Sequence, residues 1–212
     1  MKRNHLLIAL LVFTLSISVF TEVNFTTAQD EKAASSAVDD IAPKEKVKVA
    51  IDEIVKVVES NAGDAKKEVR RQKLRDLINP LFDFDEMAKR SLGMNWKVAS
   101  PEEQTEFTKV FSDLLARTYL SKIETVKPGM VNVSSETVDQ GRAMVKTMIT
   151  HKGDTFPLDY KLQANSGKWR VYDVVIENIG LVANYRNEFA GIVRKDKVAG
   201  LIQKLKDKQP AE

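Results

Sequence analysis

The chain has no cysteine. That excludes a disulfide framework, a thiolate metal site and a lipid-modified N-terminal cysteine. Histidine is nearly as scarce, with two in 212 residues. His5 lies in the N-terminal apolar run, which leaves His151 for any imidazole chemistry. His151 sits at a predicted strand end beside a turn, where a solvated residue is the ordinary outcome, and spacing suggests no partner for it. No ligand cluster at metal-binding spacing and no glycine-rich phosphate loop is present. A large charge of one sign is also missing. The formal net charge is +3, and loss of Lys2, Arg3 and Glu22 with residues 1–28 lowers it by one. Without basic–aromatic interleaving, nucleic acid is not an expected partner.

A membrane-spanning run is missing too. Leu6 to Phe20 is apolar, but about fifteen residues fall short of a span. Lys2 and Arg3 precede it and Thr26-Thr27-Ala28 follows, so residues 1–28 read as a cleavable signal peptide, with an uncleaved anchor as the alternative. Residues 29–42 are small and polar, including Ala33-Ala34-Ser35-Ser36-Ala37, and read as a flexible leader. Residues 43–208 read as a single domain with an ample core.

Within that domain a helical half comes first. Val47, Ile51, Ile54, Val55 and Val58 mark one face of a helix over 44–60. A very basic helix over 64–78 carries Lys66, Lys67, Arg70, Arg71, Lys73 and Arg75. Such a face is usually just solvated, and its single sign also suits docking to an anion. Asp83 and Asp85 read as caps of a short helix over 83–91. Ser100-Pro101-Glu102-Glu103 is a capping box that starts a long helix. That helix carries Phe107, Phe111, Leu115 and Tyr119 at helical spacing, where aromatics are ordinarily core.

Three turn signals then divide four strands: Asp139-Gln140-Gly141, Lys152-Gly153-Asp154 and Asn165-Ser166-Gly167. The short turns imply an antiparallel meander. The second strand puts Ala143, Val145, Thr147 and Ile149 on one face, and the third puts Leu158, Tyr160 and Leu162 together. The fourth, around Val171-Tyr172-Asp173-Val174-Val175-Ile176, is apolar on both parities, so both of its faces should be covered. Asp173 inside that run needs a partner: a backbone amide, Arg170 or Arg186. The chain then passes through Asn178 and Gly180 into a helix with Leu181, Val182, Tyr185 and Phe189 on one stripe. Gly180 reads as a turn residue tolerant of unusual backbone angles. A second C-terminal helix carries Val198, Leu201, Ile202 and Leu205. The fold class is α+β: a four-stranded antiparallel meander curled against N-terminal and C-terminal helices, enclosing an apolar pocket.

The stretch Trp169-Arg170-Val171-Tyr172-Asp173-Val174-Val175 with Leu181-Val182-Ala183-Asn184-Tyr185-Arg186-Asn187-Glu188-Phe189 closely resembles the MlaC family of periplasmic phospholipid-binding proteins, the toluene-tolerance auxiliary proteins. Phe84-Asp85-Glu86-Met87-Ala88, Leu92-Gly93-Met94-Asn95-Trp96, Ser100-Pro101-Glu102-Glu103-Gln104, Arg117-Thr118-Tyr119 and Pro157-Leu158-Asp159-Tyr160 continue the resemblance, which covers roughly residues 47–205. It implies a soluble periplasmic carrier rather than an enzyme, with phospholipid as cargo and no cofactor or metal. It implies exchange with an inner-membrane ABC transporter and an outer-membrane lipoprotein–porin complex. It also turns the apolar stripes into lipid-contact candidates: Phe107, Phe111, Leu115, Tyr119, Val145, Thr147, Ile149, Leu158, Tyr160, Val171, Val174, Tyr185 and Phe189. Two other readings stay open. A cone-shaped α+β enzyme would need Asp173 with Tyr160 or Tyr172 as its acid–base pair, and a lipid-free adaptor would have a filled core.

N-terminal sequencing of the secreted protein tests the leader. The expected start is near Gln29, in the soluble fraction. Recovery from membranes with residues 1–28 intact would contradict it.

Overall fold

Tight turns build the sheet. A computed structural model describes residues 41–165 and 167–207. The signal peptide, most of the leader and residue 208 lie outside the described residues. Strands β1 (Val131–Asp139), β2 (Arg142–His151), β3 (Asp154–Asn165), β4 (Lys168–Ile176) and β5 (Ile179–Gly180) pair antiparallel in sequence order. Both turn residues have positive φ at Gln140-Gly141 (44° and 74°), at Lys152-Gly153 (53° and 90°) and at Glu177-Asn178 (47° and 68°). This is the type I′ geometry whose twist suits two-residue hairpins.

The third of these turns corrects the four-strand expectation. Glu177-Asn178 reverses the chain, so Ile179-Gly180 comes back along β4, with Ile176 opposite Ile179 and Val175 opposite Gly180. Neither Glu177 nor Asn178 is a glycine, which hid the hairpin. Asn tolerates positive φ well, but a Glu there is uncommon.

The strand β4 carries a bulge. Tyr160 pairs with Val174 and Lys161 with Asp173, but Leu162 pairs with Val171, so Tyr172 is the extra residue of a β-bulge. A bulge shifts the alternation by one. Val171 therefore faces inward before it, and Val174 and Ile176 face inward after it, all at most 2 % exposed. Tyr172 and Asp173 are buried as well and Val175 is half-buried, so both faces of this run are covered, as expected. Tyr172 lies under Arg90, with the guanidinium carbon 4.3 Å from the ring centre. Next to the bulge, the Asp83 amide donates to the Val171 carbonyl at 2.8 Å and the Val171 amide to the Leu81 carbonyl at 2.9 Å. The edge of β4 is thereby covered by residues 81–83 and by β5.

The helices are α1 (Pro43–Ser60), α2 (Lys67–Ile78), α3 (Phe84–Leu92), α4 (Pro101–Ile123) and α5 (Leu181–Asp207). α5 is interrupted at Lys197 (φ 61°), which separates the two expected C-terminal helices. α1 packs on β1 and β2, while α5 packs on α3, α4 and β4. The inward faces of β2 (Val145, Ile149) and β3 (Leu158, Leu162) are fully buried. Among the described residues no helix is long and apolar enough to cross a membrane.

Each helix start shows how its first amides are satisfied. The expected capping box is present on α4, where Glu103 N donates to Ser100 Oγ at 3.2 Å and Ser100 N to Glu103 Oε2 at 2.9 Å. Asp83 caps α3, accepting from Glu86 N at 3.0 Å. α1 is preceded by Ala42, which has no capping side chain. Glu136 of β1 takes over and accepts from Lys44 N at 2.7 Å. The basic helix α2 is partly structural. Arg70 and Arg71 grip the two oxygens of Glu124 at 2.9 and 3.2 Å, tying α2 to the end of α4.

Glu53 on α1 is 2 % exposed. Its Oε1 lies 3.4 Å from Lys56 Nζ, and Oε2 has no hydrogen-bond partner among the described residues. Burial pushes its carboxyl up to about 7. The folded state then holds a proton that the unfolded state releases, so stability is full below the ordinary carboxyl range and falls as pH rises through about 7. Thermal unfolding should show Tm dropping between about pH 5 and pH 7, with most of that drop absent in Glu53→Gln. Parallel profiles for the two proteins would contradict this placement.

Candidate functional site

The joint between sheet and helix sets the site's geometry. Gly180 immediately precedes α5 and offers no capping side chain. Asp173 of β4 supplies the missing acceptor: its Oδ1 takes the Val182 amide at 3.0 Å, and its Oδ2 takes Lys161 Nζ at 3.2 Å. A carboxylate at a helix N-terminus is favoured both by the free amide and by the helix dipole. Of the three expected partner types for Asp173, the backbone amide is the one found.

The expected Arg186 pairing is not formed. Arg186 points toward α3, where its Nε donates to the Arg90 carbonyl at 2.7 Å. That places a cation on the C-terminal carbonyls of a helix. Lys161 is the actual cationic partner, being cross-strand from Asp173 in a register that only the bulge creates. Gly180 also differs from expectation, because its φ is not in the positive range. Its lack of a Cβ leaves room for the carboxylate: a Cβ there would lie 3.0 Å from Asp173 Oδ2, a tight contact.

With α5 fixed this way, a cavity of about 160 Å³ remains between α4, the end of α2, the start of α3 and the sheet. Leu115, Ala116, Tyr119, Leu120 and Ile123 form its α4 wall. Tyr160 and Val174 form the floor, while Phe82, Phe84 and Met87 close the α3 side. The charged and amide-bearing lining residues are Arg75, Asn79 and Asp113, with Ser112 beside them. Arg75 and Asn79 are exposed, so they form a rim. Burial pushes the Tyr160 and Tyr119 phenols well above their usual range, so both stay neutral hydroxyls.

The structure gathers only some of the expected contact residues on this wall. Leu115, Tyr119, Tyr160 and Val174 line the cavity. Phe107, Phe111, Tyr185 and Phe189 form an aromatic cluster that joins α4 to α5, with ring centres 5.2 to 5.8 Å apart in stacked, tilted and edge-on pairs. Val145, Thr147, Ile149, Leu158 and Val171 are buried in the sheet's inner face. The Thr147 hydroxyl donates to the Leu158 carbonyl, which removes its polarity from the interior. Phe82, Phe84, Met87 and Leu181 were missed as lining residues. Phe82 and Phe84 bracket the Asp83 cap and stack at 5.8 Å. Two aromatics flanking the cap of a short helix were the available signal.

Among the described residues, no group of acidic or histidine side chains is arranged to hold a metal. Asp173 is occupied by Val182 and Lys161, and Tyr172 by Arg90. Fold and site together define a helix-on-sheet protein with a partly open pocket between α4 and the sheet.

Comparison with known proteins agrees with that class. The family model for MlaC protein matches residues 48–207, and the chain belongs to the MlaC family. The intermembrane phospholipid transport system binding protein MlaC of Haemophilus influenzae is 21% identical over 178 residues, covering 80% of this chain and 83% of the relative. Toluene tolerance protein ttg2D of Pseudomonas putida is 25% identical over 126 residues, 58% of this chain and 59% of that one. A solved phospholipid-binding protein from Ralstonia solanacearum, in complex with a phospholipid, superposes with a TM-score of 0.70 at 27% identity. The match covers 79% of this chain and 96% of that one.

Asp173→Ala should destabilise the protein by about 1–3 kcal/mol, because the Val182 amide and Lys161 lose their acceptor. Asp173→Asn should lose less, since its carbonyl still accepts from Val182. Urea unfolding measures both, and wild-type stability in the alanine variant would contradict the joint described above.

Proposed function

We propose that the protein is a periplasmic phospholipid carrier that holds acyl chains in the cavity between α4 and the sheet. The observation that carries this reading is the apolar cavity with its polar groups gathered at an exposed rim. The head group would lie near Arg75, Asn79 and Ser112, and the chains would run inward past Leu115 toward Tyr119 and Val174. Family membership and the phospholipid in the Ralstonia relative support the same cargo. Nothing in such a site needs a nucleophile or a cofactor, so no enzymatic step is assigned. By family, exchange would be with an inner-membrane ABC transporter and an outer-membrane lipoprotein–porin complex.

Magnitudes constrain how such a carrier works. Each acyl methylene is worth about 0.8 kcal/mol against water, so about thirty of them amount to roughly 24 kcal/mol. A lipid cannot cross water freely at that cost, and transfer must be direct from one apolar environment to another. The cavity of about 160 Å³ is also small. A cavity near 150 Å³ accommodates a single benzene. Two acyl chains would require the helices to move outward.

Native mass spectrometry after incubation with dioleoyl phosphatidylglycerol vesicles tests the reading. One lipid per protein is expected. Leu115→Arg should lose most of that occupancy, because a guanidinium among acyl chains has no partner. A folded Leu115→Arg protein with full occupancy would place the lipid elsewhere, and a lipid-free wild type would favour the adaptor.

A further inference from the structure

The mouth of the cavity is sorted by hydrogen-bonding role. At the end of α2 stand Arg75 and Asn79, four residues apart and both exposed. They bring a guanidinium and an amide, and so N–H donors. On α4 stand Ser112 and Asp113, both half-buried. The Asp113 carboxylate only accepts. The Ser112 hydroxyl donates its proton to the Lys109 carbonyl at 2.8 Å, so it too has only lone pairs left.

Both charges are open. Among the described residues no hydrogen bond or ion pair engages the side chain of Arg75 or that of Asp113, and the two do not engage each other. Lys109 and Arg117 lie one turn to either side of Asp113 on α4, yet neither pairs with it and neither lines the cavity. The same two helices do join opposite charges elsewhere, where Arg70 and Arg71 close on Glu124. A cation and a carboxylate that share one cavity mouth without pairing suit a ligand that brings an anion to the first and a cation to the second.

We propose, resting on the lipid-carrier reading above, that this rim recognises a zwitterionic head group and makes the protein prefer a phospholipid with a primary ammonium to one with an uncharged alcohol. Arg75 and Asn79 take the phosphate. Asp113 and the Ser112 oxygen take the ammonium. A glycerol head group leaves the same phosphate on Arg75 but brings no cation, so Asp113 faces a lipid of net negative charge. A choline head group keeps the cation without an N–H to donate, and it should fall between the two. Asp113 is partly solvated, so its pair with the ammonium is screened and worth about a two- to fivefold difference in Kd. The rim therefore biases selection, and phosphatidylglycerol still binds.

The test compares lysophosphatidylethanolamine with lysophosphatidylglycerol of the same chain length, below micelle-forming concentrations, by titration calorimetry on the delipidated protein at low salt. The ethanolamine lipid should bind about two to five times more tightly. Asp113→Asn keeps the size of the side chain and removes its charge, so the preference should vanish. Arg75→Gln should weaken both lipids and leave their ratio unchanged, because both carry the phosphate. Equal Kd values in the wild type, or a ratio unaltered by Asp113→Asn, would overturn the proposal and leave the carrier reading intact. An Arg75→Gln protein that binds both lipids like the wild type would overturn the placement of the phosphate. Failure of the wild type to bind either lipid would remove the carrier reading, and the head-group preference with it.

Discussion

The contact between Asp173 and the Val182 amide determines where everything on the helical side can sit. α5 begins without a capping side chain of its own, and one strand carboxylate holds its first turn against the sheet. Lys161 balances that carboxylate from the neighbouring strand. The arrangement needs the bulge at Tyr172 to set the register, and the glycine at 180 leaves room for the carboxylate. α1 repeats the solution at the other end of the sheet, where Glu136 of β1 takes the Lys44 amide. Two helices are thus positioned by strand carboxylates rather than by local caps. A cap supplied from another element fixes orientation as well as satisfying an amide, because the helix can start only where that carboxylate is.

This placement accounts for the cavity. α5 is held close to β4 at its start and to α4 along its aromatic face, through Phe107, Phe111, Tyr185 and Phe189. The opposite side of α4 has no comparable cluster. It faces the ends of α2 and α3, and the space between them stays partly unfilled. The contrast is between an interface closed by a four-ring cluster and one bounded by the Phe82–Phe84 pair, aliphatic side chains and an exposed polar rim. Outward movement is expected at the second, since fewer packed contacts must be given up there.

Much of this was legible in the residues. Turn pairs containing glycine marked the meander, Ser100 with Glu103 marked the start of α4, and Asp83 marked that of α3. The alternation along β2 gave its inner face directly. What stayed hidden depends on tertiary geometry. The β4–β5 hairpin uses Glu177 and Asn178, whose positive φ no composition rule announces. The bulge at Tyr172 is silent in the residues, because β4 is apolar on both parities and covered on both faces. Arg170 is the nearer cation to Asp173 in sequence, yet Lys161 is the one that reaches it across the sheet. For the candidate site, apolar spacing pointed to α4 and to strands β2–β4. It could not separate residues that line space, such as Leu115 and Tyr119, from those that fill it, such as Phe107 and Phe111. Both kinds lie on the same stripe, and only the packing distinguishes them.

The central claim is that acyl chains occupy the space between α4 and the sheet. Paramagnetic relaxation from phospholipids labelled with a nitroxide at defined chain positions measures this directly. A label near the chain terminus should broaden the methyl signals of Leu115, Leu120 and Val174, and a head-group label should broaden the amides of Arg75 and Asn79. Broadening confined to exposed apolar residues such as Met94 and Val98, which are 75% and 80% exposed, would show that lipid only coats the surface, and would contradict the account.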